Sequence, residues 1–263
     1  MFDFLDLILL RRGIPSDDST LHFRRADGNQ KSPIIYFLPW HTPLSWARQA
    51  GLIALDYLAC YEMPPAIVSS EPELSVKAML GLVADAESLM ARHDESPKDF
   101  VVVGLSVGTY PATFLANRTG ARLCAVAPAD RADLMVWQSP AARLIKRRAI
   151  QKGYRLSDYS RAMLGCHPAQ NLAGIAAASM FVIGMRDPFV PPRRSAGLLQ
   201  AIGRHASTAR VVGLEAGHLK TLMASGKYQR EMLGLAPARS KWHRRVPFEP
   251  AFARVSPSGD PAE

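Results

Sequence analysis

The stretch Phe100-Val-Val-Val-Gly-Leu-Ser-Val-Gly-Thr-Tyr-Pro-Ala112 constrains the fold of this chain more than any other. Its apolar run, rich in β-branched valine and closed by glycine, predicts a strand buried on both faces, as in a parallel sheet. Helix-compatible sequence follows as far as Gly120. Gly104 and Gly108 flank Ser106 at the spacing of a sharp strand-to-helix turn, where small neighbours let strand and helix pack closely. Such a turn projects the Ser106 hydroxyl from the carboxyl end of the sheet, beside the amino end of a helix. Backbone N–H groups there carry positive partial charge and can receive an oxyanion. Ser106 is thus a candidate nucleophile and the Val107 N–H a candidate oxyanion donor.

The remaining sequence supplies a sheet around that strand. Residues 2–12 read as a short helix ending at Gly13, with an edge strand over Leu5–Leu10 as the competing reading. Thr20–Arg25 alternates like a strand, and Pro33–Leu38 reads as a buried one. Apolar spacing predicts a helix from Leu44 to about Cys60, Ala66–Val68 a brief strand, and Ser75 the cap of a helix bearing Met79, Leu82, Val83 and Ala86. Strands follow at Arg122–Ala127, Ser179–Gly184 and Ala209–Leu214. Helices follow at Pro192–Gly203 and about Lys220–Leu233. Strands alternating with helices define an α/β chain with a doubly wound, mostly parallel sheet. The 263 residues suffice for one large domain of this kind, expected over 1–235, with a basic, proline-rich tail over 236–263.

A serine hydroxyl needs a base to take its proton, and the base needs an acid to fix its tautomer. In a doubly wound sheet all three belong just past the carboxyl ends of strands. The strand ending at Gly184 runs into Met185-Arg186-Asp187-Pro188-Phe189-Val190-Pro191, and the strand ending at Leu214 into Glu215-Ala216-Gly217-His218. Asp187 and His218 are therefore the candidate acid and base. Asp130 and Asp133 are alternative acids, and His41, His205 and His243 rival bases without a strand and small-residue turn before them.

With these three turns in the order Ser, Asp, His, the chain resembles the α/β-hydrolase family over about residues 33–235. The resemblance implies that fold, with a small helical lid inserted at about 131–176, and a serine hydrolase that cleaves a carboxylic ester or thioester through an acyl-enzyme. Acyl transfer, C–C bond hydrolysis or lyase chemistry on the same scaffold, or a catalytically weak ligand-binding protein, are the alternatives. Members commonly place His-Gly or a glycine run after the strand matching Ile34–Leu38. This chain has Pro39-Trp40-His41-Thr42-Pro43 instead, so the second oxyanion donor falls to the backbone N–H of Trp40 or His41. No metal or organic cofactor is implied.

The formal charge of +9 concentrates in the lid segment, where Arg131, Arg143, Lys146, Arg147, Arg148, Lys152, Arg155 and Arg161 face only Asp133 and Asp158. A solvated face over an apolar underside explains this, as does guidance of an anionic acyl substrate or contact with a membrane surface. No nucleic-acid module is legible. Three widely spaced cysteines give neither a disulfide framework nor a metal pattern, and the leading residues lack a secretory signal, so a cytoplasmic setting is expected. The tail either packs on the core or mediates self-association.

Overall fold

The computed structural model describes residues 21–23 and 32–235. The expected helix over 2–12 and the tail over 236–263 lie outside the described residues. The buried apolar runs become strands β1 (Leu21–Phe23), β2 (Ile34–Trp40), β3 (Ala59–Met63), β4 (Val101–Leu105), β5 (Arg122–Val126), β6 (Met180–Gly184) and β7 (Arg210–Leu214). They form a seven-stranded sheet in the order β1-β3-β2-β4-β5-β6-β7. β1 runs antiparallel to β3 and every other pairing is parallel.

Because side chains alternate along a strand, each central strand feeds two cores. Ile35, Phe37, Val102, Leu123 and Phe181 enter one, with helices α2 (Pro72–Ala91), α3 (Thr109–Thr119) and α7 (Pro192–His205) packed on that face. Tyr36, Val103, Cys124 and Val182 enter the other, covered by α1 (Leu44–Gln49), α8 (His218–Met223) and α9 (Ser225–Met232). Between β5 and β6 the chain forms three short helices: α4 (Asp133–Gln138), α5 (Arg143–Gln151) and α6 (Leu156–Ala162). The chain adds β3 on one side of β2 and β4 on the other. The carboxyl ends of β2 and β4 therefore border the crevice where strand order reverses, the usual ligand site of an open α/β sheet.

Four local expectations are corrected. The helix from Leu44 stops at Gln49, because Gly51, at φ 68°, closes it: the Gly51 N–H bonds the Arg48 carbonyl and the Leu52 N–H the Ala47 carbonyl. This is a glycine-terminated helix end, and it frees Ala59–Met63 to form β3. Ala66–Val68 is not a strand but part of a 3-10 turn over Pro65–Val68, started by the fixed φ of proline. Ser75 does not cap α2, which begins at Pro72; its hydroxyl accepts the Ser69 N–H at 3.0 Å. The last helix is broken at Ala224 into α8 and α9. No helix among the described residues is long and apolar enough to cross a membrane.

Candidate active site

The turn after β4 holds Ser106 at φ 54°, a left-handed conformation that costs a non-glycine residue about 1–2 kcal/mol. Its neighbours explain why the chain tolerates it. A Cβ on Gly104 would stand 2.6 Å from the Ala112 Cβ and 2.7 Å from the Thr109 Cα; one on Gly108 would stand 2.2 Å from the Phe37 carbonyl oxygen. The two glycines thus allow α3 to press on β4, and the turn to press on β2. The serine is clamped between them.

Ser106 Oγ lies 2.8 Å from His218 Nε2, and His218 Nδ1 lies 2.6 Å from Asp187 Oδ2. A carboxylate can only accept, so Nδ1 carries the imidazole proton and Nε2 presents its lone pair to the Ser106 hydroxyl. The other carboxylate oxygen, Oδ1, accepts the Phe189 N–H at 2.8 Å and the Val190 N–H at 3.0 Å. Asp187 and His218 are buried, and the Phe189 ring meets the imidazole edge-on at 5.1 Å. The two backbone donors were not anticipated; the Asp-Pro-x-x run that makes such a side-chain turn is their signal in the sequence.

Among the described residues, none of the rivals hydrogen-bonds Ser106 or His218. Asp130 accepts from Arg194 Nε at 3.0 Å, and Asp133 accepts from Arg131 and Ser160. Burial pushes the Asp133 carboxyl up, but the Arg131 and Ser160 hydrogen bonds outweigh it and hold the group below the usual carboxylate range. His205 is exposed at the end of α7. His41 lies against the Trp40 ring at 4.0 Å, and burial pushes its imidazole down from the ordinary value. His243 falls outside the described residues.

Ser106, Val107, Trp40, His41 and His218 share the wall of one cavity of about 140 Å³, open at its mouth. Met135 of α4 and Leu144 and Ile145 of α5 also line it, and among the described residues no Asp, Glu, Lys or Arg does. Tyr110 and Met135, absent from any sequence pattern, become wall residues only because α3 and α4 converge here.

Sheet order, the strained serine turn after β4 and the placement of Asp187 and His218 after β6 and β7 together define an α/β-hydrolase fold. Solved structures of that fold resemble the chain closely enough to superpose. An acylaminoacyl peptidase of Pyrococcus horikoshii matches with a TM-score of 0.54 at 9% identity, over 84% of this chain and 40% of that one. An esterase of Pyrococcus furiosus matches at 0.51 and 16% identity, over 79% and 82%. A capsule O-acetyltransferase of Neisseria meningitidis serogroup A matches at 0.52 and 11% identity, over 82% and 91%. The chain spans about two fifths of the length of that acylaminoacyl peptidase and of a puromycin hydrolase that it also matches. No family model and no curated protein matches its sequence.

Proposed function

We propose that the chain is a serine hydrolase that cleaves an ester or thioester of an uncharged, apolar acyl group. The observation that carries this reading is the hydrogen-bonded series Ser106–His218–Asp187, with its serine end in an apolar cavity and its acid end buried. Ser106 attacks the acyl carbonyl while His218 Nε2 takes the hydroxyl proton, and His218 returns it to the leaving group. Asp187 holds the tautomer and stabilises the imidazolium that forms. Water, activated by the same histidine, then releases the acid. The segment 131–176 serves as a lid, its α4 and α5 side chains excluding bulk water from the cavity.

The oxyanion is assigned to the N–H groups of Val107 and Trp40. The β2–β3 register is irregular between Phe37 and Trp40, and Trp40 is paired with Met63. Pro64 has no N–H, so the parallel ladder there can use only the N–H of His41, not that of Trp40. On this reading the Trp40 N–H faces the opposite edge of β2, on the side of β4 and the turn at Ser106. An anionic acyl group, one expectation from the basic lid, would meet no counter-charge among the described residues of the lining. Arg143, Arg147 and Arg148 are exposed on α5 and absent from the lining.

A fluorophosphonate probe tests the reading. Covalent labelling of the wild type that vanishes in Ser106→Ala is expected; a folded wild type that resists labelling would sink it. Product analysis with an added alcohol then separates hydrolysis from acyl transfer.

A further inference from the structure

Helix α5 carries the sequence Arg143-Leu-Ile-Lys-Arg-Arg-Ala-Ile-Gln151, four cations and no acid. Ile145 and Ala149 pack into the core, Lys146 Nζ donates to the Trp137 carbonyl at 3.1 Å, and Arg143, Arg147 and Arg148 are exposed. Among the described residues no salt bridge reaches any of these three arginines. The two acids of the lid do not offset them. Asp133 is buried against Arg131, and Asp158 turns its carboxylate onto the Arg155 N–H at 2.7 Å.

Helix stability does not explain this arrangement. A cation in the first turn faces the positive end of the helix dipole, and α5 has no acid there. Arg143 meets Lys146 at i+3 and Arg147 at i+4, like-charge pairs that each weaken a helix. Leu144 shows where the charge lies. It belongs to the wall of the catalytic cavity yet is 58% exposed, so it stands at the mouth. Arg147 and Arg148 follow it by three and four residues on the same side of the helix, and helical side chains lean toward the amino end, back over that turn.

We propose that Arg147 and Arg148 bind a phosphate-bearing leaving group at the mouth of the cavity, so that the substrate is an uncharged acyl group carried on a soluble phosphorylated thiol or alcohol. The inference rests on the acyl-enzyme reading above and names the other half of its substrate. Two neighbouring guanidiniums suit a multiply charged phosphate, since each planar fork of N–H groups takes a pair of oxygens. In the acylation step the bond from Ser106 Oγ to the acyl carbon forms as the C–S or C–O bond breaks. The serine proton passes through His218 Nε2 to the departing sulfur or oxygen. A membrane contact would need an apolar stripe beside the charge. The exposed Leu144 and Ile150 lie six residues apart, about 120° around the helix, and form none.

Butyryl-coenzyme A and S-butyryl pantetheine present the same thioester with and without phosphates. The ratio of their kcat/KM values tests the assignment in the wild type, in Arg147→Gln/Arg148→Gln and in Lys98→Gln/Arg204→Gln. The last variant removes the same charge from exposed positions that precede β4 and β7, on the amino side of the sheet. At low salt the ratio should fall about tenfold in the arginine variant, the value for two exposed ion pairs, and hold in the control. In the wild type it should fall as salt rises. A ratio that ignores salt, changes less than about twofold in the arginine variant or falls equally in the control would overturn the assignment and leave the hydrolase reading standing.

Calorimetric binding of coenzyme A to Ser106→Ala, with and without Arg147→Gln/Arg148→Gln, needs no turnover. Affinity about tenfold weaker without the arginines, for a protein whose wild type cleaves neither thioester, keeps the anion site and removes the hydrolase reading. Equal affinity in the two proteins, or no binding to either, removes the anion site. Sedimentation with phosphatidylglycerol vesicles tests a lipid source of the phosphate, and no retention is expected. Retention lost with the arginines, while the thioester ratio is unchanged, would make the patch a membrane contact and overturn the proposal.

Discussion

Replacing Asp187 by asparagine turns the geometry of the acid into a measurable consequence. The carboxylate accepts three hydrogen bonds: the Phe189 and Val190 N–H groups on Oδ1 and the His218 Nδ1–H on Oδ2. Asparagine has one accepting oxygen, and the two buried backbone donors compete for it with one imidazole. Facing those donors with an NH₂ would orphan both, at about 1–3 kcal/mol each. A change of histidine tautomer orphans neither. The amide oxygen therefore stays at the Oδ1 position, and the NH₂ points at His218 Nδ1. The imidazole must then carry its proton on Nε2, where Ser106 needs an acceptor. A tautomer fixed wrongly in this way costs on the order of 10⁴ in turnover, or about 5.5 kcal/mol of barrier.

Stability separates this from a folding defect. Asp187→Asn keeps the backbone donors paired and should unfold within about 1 kcal/mol of the wild type, while Asp187→Ala should lose about 2–4 kcal/mol. Urea titration and kcat/KM on p-nitrophenyl butyrate, measured on the same preparations, read both quantities. Asp187→Asn retaining more than a tenth of the activity, with Asp130→Asn or Asp133→Asn abolishing it, would refute the reasoning.

Two further outcomes follow from packing and charge. Gly108→Ala places a methyl group 2.2 Å from the Phe37 carbonyl oxygen and 2.7 Å from that of Leu38, both on the backbone of β2. The variant should be destabilised by about 3 kcal/mol or more in chemical denaturation, and a loss below about 1 kcal/mol would show that the turn is looser than its contacts imply. Asp133 is fully buried, and its folded-state pKa is lowered by Arg131 and Ser160 against the opposing effect of burial. A lowered folded value means stabilisation that is complete above the unfolded pKa of about 3.9 and lost as pH falls through the folded one. Urea stability between about pH 5 and pH 2 should therefore fall more steeply in the wild type than in Asp133→Asn; parallel curves would contradict the assignment.

The parts of the site visible in sequence share one property: a continuous apolar strand announces where its carboxyl end will be. Val101–Leu105, Met180–Gly184 and Arg210–Leu214 are such strands, and Ser106, Asp187 and His218 follow them within a few residues. β3 was hidden because Leu55 and Leu58 continue a helical spacing past Gly51, and only the left-handed φ of that glycine ends the helix. The wall of the cavity was hidden for a different reason. Met135, Leu144 and Tyr110 lie on three separate helices, and no local pattern records which helix faces meet over the crevice.

The glycine-free loop after β2 shows how one backbone geometry can be reached by other means. Glycine serves at such a turn because it enters the left-handed region without a Cβ penalty. Here His41 occupies that region at φ 56°, although it carries a side chain. Several contacts offset the strain. The Thr42 N–H bonds the Pro39 carbonyl at 3.2 Å, the imidazole lies against the Trp40 ring at 4.0 Å, and Pro43 directly precedes α1. The irregular register between Phe37 and Trp40 then alters which edge of β2 each N–H faces. Proline at 39 and 64 removes two donors that could compete with this arrangement. If the Trp40 N–H receives the oxyanion as proposed, a loop fixed in this way suits it better than a mobile glycine run, because its dipole needs no reorientation when charge develops. On this reasoning His41→Gly relieves strain yet loosens the donor. It should leave the protein no less stable, while lowering kcat more than it raises KM. A variant with unchanged kcat would show that the left-handed turn is incidental to the position of the Trp40 N–H.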